Sequence, residues 1–74
     1  MRTLDQLPRG ETATVARLDE QGAVGAALRE AGIAAGAEVE VLARGLIGGT
    51  PLSVRVGRAV VALRRTEARR VSVS

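Results

Sequence analysis

Short segments in which every second residue is apolar dominate this chain of 74 residues. A period of two places alternate side chains on one face, which is typical of half-buried strands. The pattern predicts five strands, one at about Thr12 to Leu18 and the others within AEVEVLA, PLSVRV, AVVAL and VSV. Leu18 falls out of phase with the residues before it, so we expect a bulge or bend at Ala16 to Arg17.

The same alternation predicts which side chains form the core. We expect Leu4 and Leu7 to tuck under the fold from a short turn that Pro8 ends. Gly57 and Arg58 are predicted to form a two-residue hairpin turn of type II′, with glycine in the first central position. The predicted inward-facing strand residues are Ala13, Val15, Val39, Val41, Ala43, Leu52, Val54, Val56, Ala59, Val61, Leu63, Val71 and Val73.

One segment, DEQGAVGAALREAG, has helical periodicity instead. Its apolar stripe at i, i+3, i+4 and i+7 consists of Val24, Ala27, Leu28 and Ala31. Gly32 follows this stripe and can take the left-handed conformation that ends a helix. Leu28 and Ile33 then occupy the two positions whose side chains meet in a Schellman cap. The sequence therefore predicts a short helix that stops at Gly32.

The predicted order is one strand, one short helix, three strands, one turn within RRTEARR and a last strand. About five short strands with tight connections close most simply into a small, mainly β, SH3-like barrel, with the helix inserted after the first strand. We find no internal repeat or linker, so residues 1–74 are expected to form a single domain.

Composition excludes several kinds of function. The chain has no cysteine and no histidine, which removes thiol chemistry and the commonest general base and metal ligand. We therefore expect no enzyme, no catalytic residues, no cofactor and no small-molecule substrate. It also has no aromatic residue, and the net charge is only +3, so nucleic acid is not the expected partner. A small basic barrel that binds nucleic acid through its arginines remains the alternative.

No membrane or export signal is visible in the sequence. The longest strongly apolar run, AVVAL, is far shorter than the roughly 20 residues that cross a bilayer. The N-terminal MRTLDQLPRG lacks the apolar stretch of a signal peptide. We expect a cytoplasmic protein.

Three segments in order resemble FeoA-type domains, the ferrous iron transport protein A family. The central segment LREAGIAAGAEVEVLARG matches the small and apolar positions of the family, as do LDQLPRGETATV before it and VALRRTEARRVSV after it. The family often has proline where this chain has Ala35, and Ile47 and Thr50 look like additions to the family loop. The matching positions are Leu4, Leu7, Gly10, Ala13, Val15, Leu28, Gly32, Ile33, Gly36, Val39, Val41, Ala62, Leu63, Arg64, Glu67, Ala68, Val71 and Val73.

The resemblance implies a small SH3-like accessory of ferrous iron uptake. Its implied partner is the membrane ferrous iron transporter with a cytosolic GTPase domain, FeoB, whose GTPase cycle or assembly it would modulate. Contact with the membrane is then only indirect, through that partner. Similar domains form the C-terminal part of iron-dependent repressors, so a regulatory module of such a system is a second alternative.

The loop from Gly45 to Pro51 is the first candidate partner surface. Leu46 and Ile47 are adjacent there, and Gly48 and Gly49 would allow close approach. The alternative is that one of the two large side chains folds back over a barrel end. An exposed loop of this kind could also mediate weak self-association.

Leu42, Val60 and Ala62 lie on the face opposite the predicted core. Either the short helix covers them or they form a groove, and we include Leu42 and Val60 among the partner-binding residues. SH3-like folds commonly bind peptides in such grooves, but the aromatic lining that proline-rich ligands need is missing.

Arg64, Arg65, Arg69 and Arg70 bracket the last turn as a candidate basic patch, which Arg9 could extend. The patch would face anionic headgroups or acidic loops beside a membrane partner, or would simply be solvated. Glu38 and Glu40 share one face of a strand, but two carboxylates alone make a weak site for Fe²⁺. We therefore predict no metal site.

Overall fold

The computed structural model describes residues 2–74. Most of this part of the chain is strand, as the period of two predicts. The strands are β1 (Arg2–Thr3), β2 (Thr12–Leu18), β3 (Glu38–Gly45), β4 (Gly49–Val56), β5 (Ala59–Leu63) and β6 (Val71–Val73). The helices are α1 (Gly22–Glu30) and the single turn α2 (Arg65–Ala68), and a 3₁₀ turn spans Leu4–Gln6.

The six strands form one antiparallel sheet in the order β1-β6-β2-β3-β4-β5. Five of them are the predicted strands. The sixth, β1, was missed because two residues are too few to show a period, and it exists because Arg2 and Thr3 pair with Val73 and Ser72 of β6. The helix α1 follows the first long strand, as predicted.

The predicted irregularity in β2 is confirmed. The pairing of β2 with β6 shifts between Val15 and Arg17, which brings Leu18 opposite Val71. A second shift, in β3 between Val41 and Ala43, was not predicted. It reverses the alternation there, so the expectation that Ala43 faces inward is wrong, since Ala43 is exposed.

The core is aliphatic and follows the predicted pattern closely. Leu4 and Leu7 are completely buried beneath the fold. The prediction that Ala59 and Val61 face inward is wrong for Ala59, which is exposed, and Val61 is only half-buried. Both belong to β5, which lies at the end of the sheet. The buried hydrophobic residues are Leu4, Leu7, Ala13, Val15, Leu28, Ile33, Val39, Val41, Leu52, Val54, Val56, Leu63, Ala68, Val71 and Val73.

The end of α1 has the predicted cap. Gly32 has a φ of +87°, and its backbone N–H donates to the carbonyl of Arg29 at 2.9 Å. The N–H of Ile33 donates to the carbonyl of Leu28 at 3.0 Å. These two bonds define a Schellman motif, and both Leu28 and Ile33 are fully buried.

The hairpin between β4 and β5 also forms as predicted. Val56 pairs with Ala59 across a two-residue turn, and Gly57 has a φ of +59°. No non-glycine residue within 2–74 has a positive φ, so Arg58 does not, as type II′ requires.

The buried stripe of α1 differs from the predicted one in one place. Ala27 is exposed, and Gly25 is buried instead. A Cβ at Gly25 would lie 2.1 Å from the backbone carbonyl carbon of Glu20, so the chain entering the helix passes directly over this glycine. The helical spacing alone could not reveal that approach.

We predict that Gly25→Ala destabilises the protein by about 1–3 kcal/mol, because the added methyl group overlaps backbone. Intrinsic helix propensity alone would give the opposite sign, about 1 kcal/mol in favour of alanine. Ala27→Ser, which also adds one heavy atom to α1 but at an exposed position, should cost less than about 1 kcal/mol. Chemical denaturation measures both, and a stabilised Gly25→Ala variant would refute the close approach.

Candidate protein-docking surface

The β3–β4 hairpin ends in a short tip. The two strands remain paired as far as Gly45 and Gly49, and an isolated bridge joins Ile47 to Thr50. Only three residues, 46–48, lie between the strands. The predicted loop from Gly45 to Pro51 is therefore mostly ordered strand, and we call residues 46–49 the hairpin tip.

Both large side chains of the hairpin tip point into solvent. Leu46 is 103% exposed and Ile47 is 83% exposed, so neither folds back over a barrel end. Burying a side chain of this size contributes about 1.5–3 kcal/mol. The fold obtains no such contribution from these two residues, which leaves it available to a partner.

Glycines make this narrow tip geometrically feasible. Gly48 and Gly49 have φ values of +62° and +77°. A Cβ at Gly45 would lie 2.0 Å from the carbonyl oxygen of Thr50, so the two strands are in backbone contact there. The sequence marks Gly45 only as the start of the loop and gives no signal of this backbone contact.

An arginine from α2 holds the hairpin tip in place. The guanidinium of Arg65 donates a hydrogen bond to the carbonyl oxygen of Gly48. Arg65 was predicted as part of a basic patch, whereas the structure places it as a brace for the apolar tip. The spacing of the two residues in sequence gave no signal of this contact.

A shallow groove lies beside the hairpin tip. It has a volume of about 620 Å³ and is lined by Thr50, Pro51, Arg64, Arg65 and Thr66. The structure thus brings Pro51 of the predicted partner-binding loop together with the first two predicted patch arginines.

Val60 and Ala62 are not covered by α1. Val60 is 62% exposed, Ala62 is exposed, and Leu42 is half-buried. Val60 pairs with Arg55, and Arg55 pairs with Glu40. The predicted groove is therefore interrupted, because this ion pair fills the face between Val60 and β3.

The Arg55–Glu40 ion pair also bears on whether Glu38 and Glu40 could bind a metal ion. The Arg55 guanidinium donates to the Glu40 carboxylate, and this hydrogen bond together with the charge of Glu40 raises the pKa of Arg55 above its usual value. The Glu40 carboxylate is therefore already paired with the Arg55 guanidinium. Within residues 2–74 there is no group of three or more acidic, histidine or cysteine side chains placed to hold a metal ion.

Three of the four predicted patch arginines have separate partners. The Nε of Arg69 lies 3.7 Å from the carboxylate of Asp5, and Nη1 of Arg70 lies 3.5 Å from that of Asp19. Arg70 also donates to the carbonyl of Gln21 at 3.0 Å. Arg65 is bonded to Gly48. The backbone N–H of Arg64 donates to the Glu67 carboxylate at 2.7 Å, but within residues 2–74 the Arg64 guanidinium forms no ion pair or hydrogen bond.

Arg44 was not singled out from the sequence, yet it joins two parts of the fold. Its Nη2 donates to the carbonyl oxygens of Asp5 at 2.8 Å and Leu7 at 2.5 Å. It thereby ties the N-terminal turn to β3 just before the hairpin tip. A single arginine in a β segment gives no sequence signal for such a contact.

Six antiparallel strands, one short helix and a braced apolar hairpin tip define a small SH3-like domain. The family model for the FeoA domain matches residues 2–74, and the chain belongs to the FeoA family. No match was found among curated proteins. The family match confirms the resemblance seen in the sequence. The family is associated with ferrous iron transport.

Solved structures agree with this assignment. FeoA of Stenotrophomonas maltophilia, described as an SH3 domain protein complexed with zinc and as a candidate activating factor of ferrous iron transport, is 40% identical, with a TM-score of 0.86 over 100% of this chain and 91% of that one. FeoA of Chlorobium tepidum is 30% identical, with a TM-score of 0.83 over 97% and 68% of the two chains.

The same fold also occurs within larger regulators. A manganese-dependent transcriptional repressor is 30% identical, with a TM-score of 0.85, and the match covers 97% of this chain but 40% of the repressor.

None of the helices in residues 2–74 has the length and apolar character needed to cross a membrane.

We predict that Arg65→Ala mobilises the hairpin tip with little loss of stability, because its bond to Gly48 is exposed. Amide hydrogen exchange of Thr50, whose N–H donates to the carbonyl of Ile47 in the tip, should accelerate, while the free energy of unfolding changes by less than about 1 kcal/mol. Arg64→Ala is the matched control and should leave this exchange unchanged. Equal exchange in both variants would show that Arg65 does not brace the tip.

Proposed function

We propose that this protein is a cytoplasmic, non-enzymatic accessory that docks on the membrane ferrous iron transporter FeoB. Docking would modulate the GTPase cycle or the assembly of that transporter. The proposal rests on membership of the FeoA family, whose association is with ferrous iron transport, and on the exposed apolar hairpin tip.

The observation that carries the proposal is the exposure of two adjacent aliphatic side chains on a braced tip. Leu46 and Ile47 project from a two-stranded base whose backbone atoms are in contact at Gly45. A rigid apolar projection loses little conformational entropy on binding and can insert into a hydrophobic pocket. The neighbouring groove at Pro51 would enlarge the contact.

The charge distribution supports a protein partner more than nucleic acid. Arg69 and Arg70 lie beside the carboxylates of Asp5 and Asp19, and Arg65 is bonded to the backbone of Gly48. These contacts reduce the number of arginines free to neutralise phosphates. A nucleic-acid interface would need a continuous field of positive charge.

Co-purification with the transporter tests the proposal. Leu46→Asp and Ile47→Asp place a charge where burial is expected, so each should reduce recovery of the complex by about tenfold or more. Both positions are exposed, so both variants should fold.

Ala35→Asp supplies the matched control, since it adds the same charge at an exposed position in another loop. Its recovery should equal that of the unmodified protein. If the two tip variants fold and co-purify normally, the hairpin tip is not the interface.

Salt dependence separates apolar docking from nucleic-acid binding. Affinity for the transporter should change by less than about threefold between 50 and 200 mM salt, whereas a contact to six or more phosphates would lose about 10³-fold or more. Titrations at the two salt concentrations measure this. A steep loss of affinity for the transporter would contradict docking through the apolar hairpin tip.

We also predict that the isolated protein does not bind Fe²⁺ at a stoichiometric site, since Glu40 is engaged by Arg55. Anaerobic calorimetry with Fe²⁺ should show no one-to-one transition at micromolar concentration. A micromolar one-to-one site would contradict this, and Glu40→Gln would then show whether that carboxylate contributes.

A further inference from the structure

Strand β5 has one free edge. It ends the sheet order, and β4 is the strand that pairs with it. The two-residue turn at Gly57–Arg58 makes Val56 and Ala59 a hydrogen-bonded pair. In an antiparallel ladder, hydrogen-bonded and non-hydrogen-bonded pairs alternate along the strand.

This alternation determines which backbone groups are free. Ala59, Val61 and Leu63 direct their N–H and C=O groups toward β4, so Val60 and Ala62 direct theirs away from the sheet. Within residues 2–74 these outward groups have no backbone or side-chain partner. The side chains of Val60 and Ala62 are exposed as well.

Two arginines flank this free edge. Arg58 precedes Val60 by two residues and Arg64 follows Ala62 by two, and both are exposed. Neither forms an ion pair within residues 2–74. The edge therefore offers two free hydrogen-bonding residues between two uncompensated positive charges.

This charge pattern disfavours a second copy of the chain as the occupant. Antiparallel pairing of two β5 strands about Val61 would place Ala62 opposite Val60 and Arg58 opposite Arg64. Like charges directly opposite each other are destabilising in a sheet. Charged residues at an exposed edge are a common means of preventing such self-pairing.

We propose that β5 accepts an extended segment of a partner protein as an added antiparallel strand. The segment has acidic residues opposite Arg58 and Arg64 and apolar, β-branched residues opposite Val60 and Ala62. Main-chain hydrogen bonds supply the affinity and the flanking charges select the sequence, as in other cases of strand addition. This contact goes beyond the hairpin tip and does not require it.

A synthetic peptide tests the proposal without the transporter. The probe is acetylated and amidated Glu-Thr-Val-Thr-Val-Thr-Glu, titrated to millimolar concentration into the isotope-labelled protein. Amide resonances of Val60 and Ala62 should shift with saturation. The lysine counterpart, Lys-Thr-Val-Thr-Val-Thr-Lys, should bind at least about tenfold more weakly.

Proline tests the backbone contact directly. Ala62→Pro removes an N–H that points away from β4, so it removes no ladder bond, and proline is tolerated at such edge positions. It should lose peptide binding by about tenfold or more, while Ala62→Ser, which keeps the N–H, retains it. Should Ala62→Pro not fold, Arg58→Glu combined with Arg64→Glu should fold and show the same loss.

Unshifted Val60 and Ala62 resonances, equal binding of the two peptides, or concentration-dependent dimerisation through β5 would each overturn the proposal. Leu46→Asp should bind the peptide normally, because the hairpin tip is not involved. Failure at β5 is therefore distinguishable from failure of the docking proposed for the tip.

Discussion

The pairing of β3 with β4 supports both the core and the candidate site. At one end of this hairpin, alternate residues from the two strands are buried in the aliphatic core. At the other end, the same pairing continues to Gly45 and Gly49 and carries Leu46 and Ile47 into solvent. Because one ladder does both, the position of the tip is determined by the core, and Arg65 adds a second attachment.

Much of this fold could be predicted from the residue pattern. The alternation of Val39 with Val41 and of Leu52 with Val54 and Val56 identified buried positions, because a strand has a fixed period. The spacing of Leu28, Gly32 and Ile33 predicted a cap that the structure contains, since that motif is local. These features depend on neighbouring residues, which a single sequence displays.

The features that were missed depend on residues distant in the chain. Strand β1 forms because Arg2 and Thr3 pair with β6. Position 25 requires glycine because the backbone of Glu20 passes directly over it. The exposed Ala43 follows from an unpredicted bulge against β4. In the candidate site, Leu46 and Ile47 are exposed, which is one of the two arrangements that the sequence left open. The predicted arginine patch is divided because its members have separate tertiary partners, which no sequence spacing encodes.

Membership of the FeoA family associates this domain with ferrous iron transport. Its exposed hairpin tip suggests how a small chain without cysteine or histidine could act there. The most direct test of the central claim is a map of amide resonances in the labelled protein on addition of the cytosolic GTPase domain of FeoB. We expect the amide resonances of residues 46–49 and of the residues adjacent to Pro51 to shift or broaden first. Perturbations confined to residues outside the hairpin tip and the groove beside it would contradict this docking site.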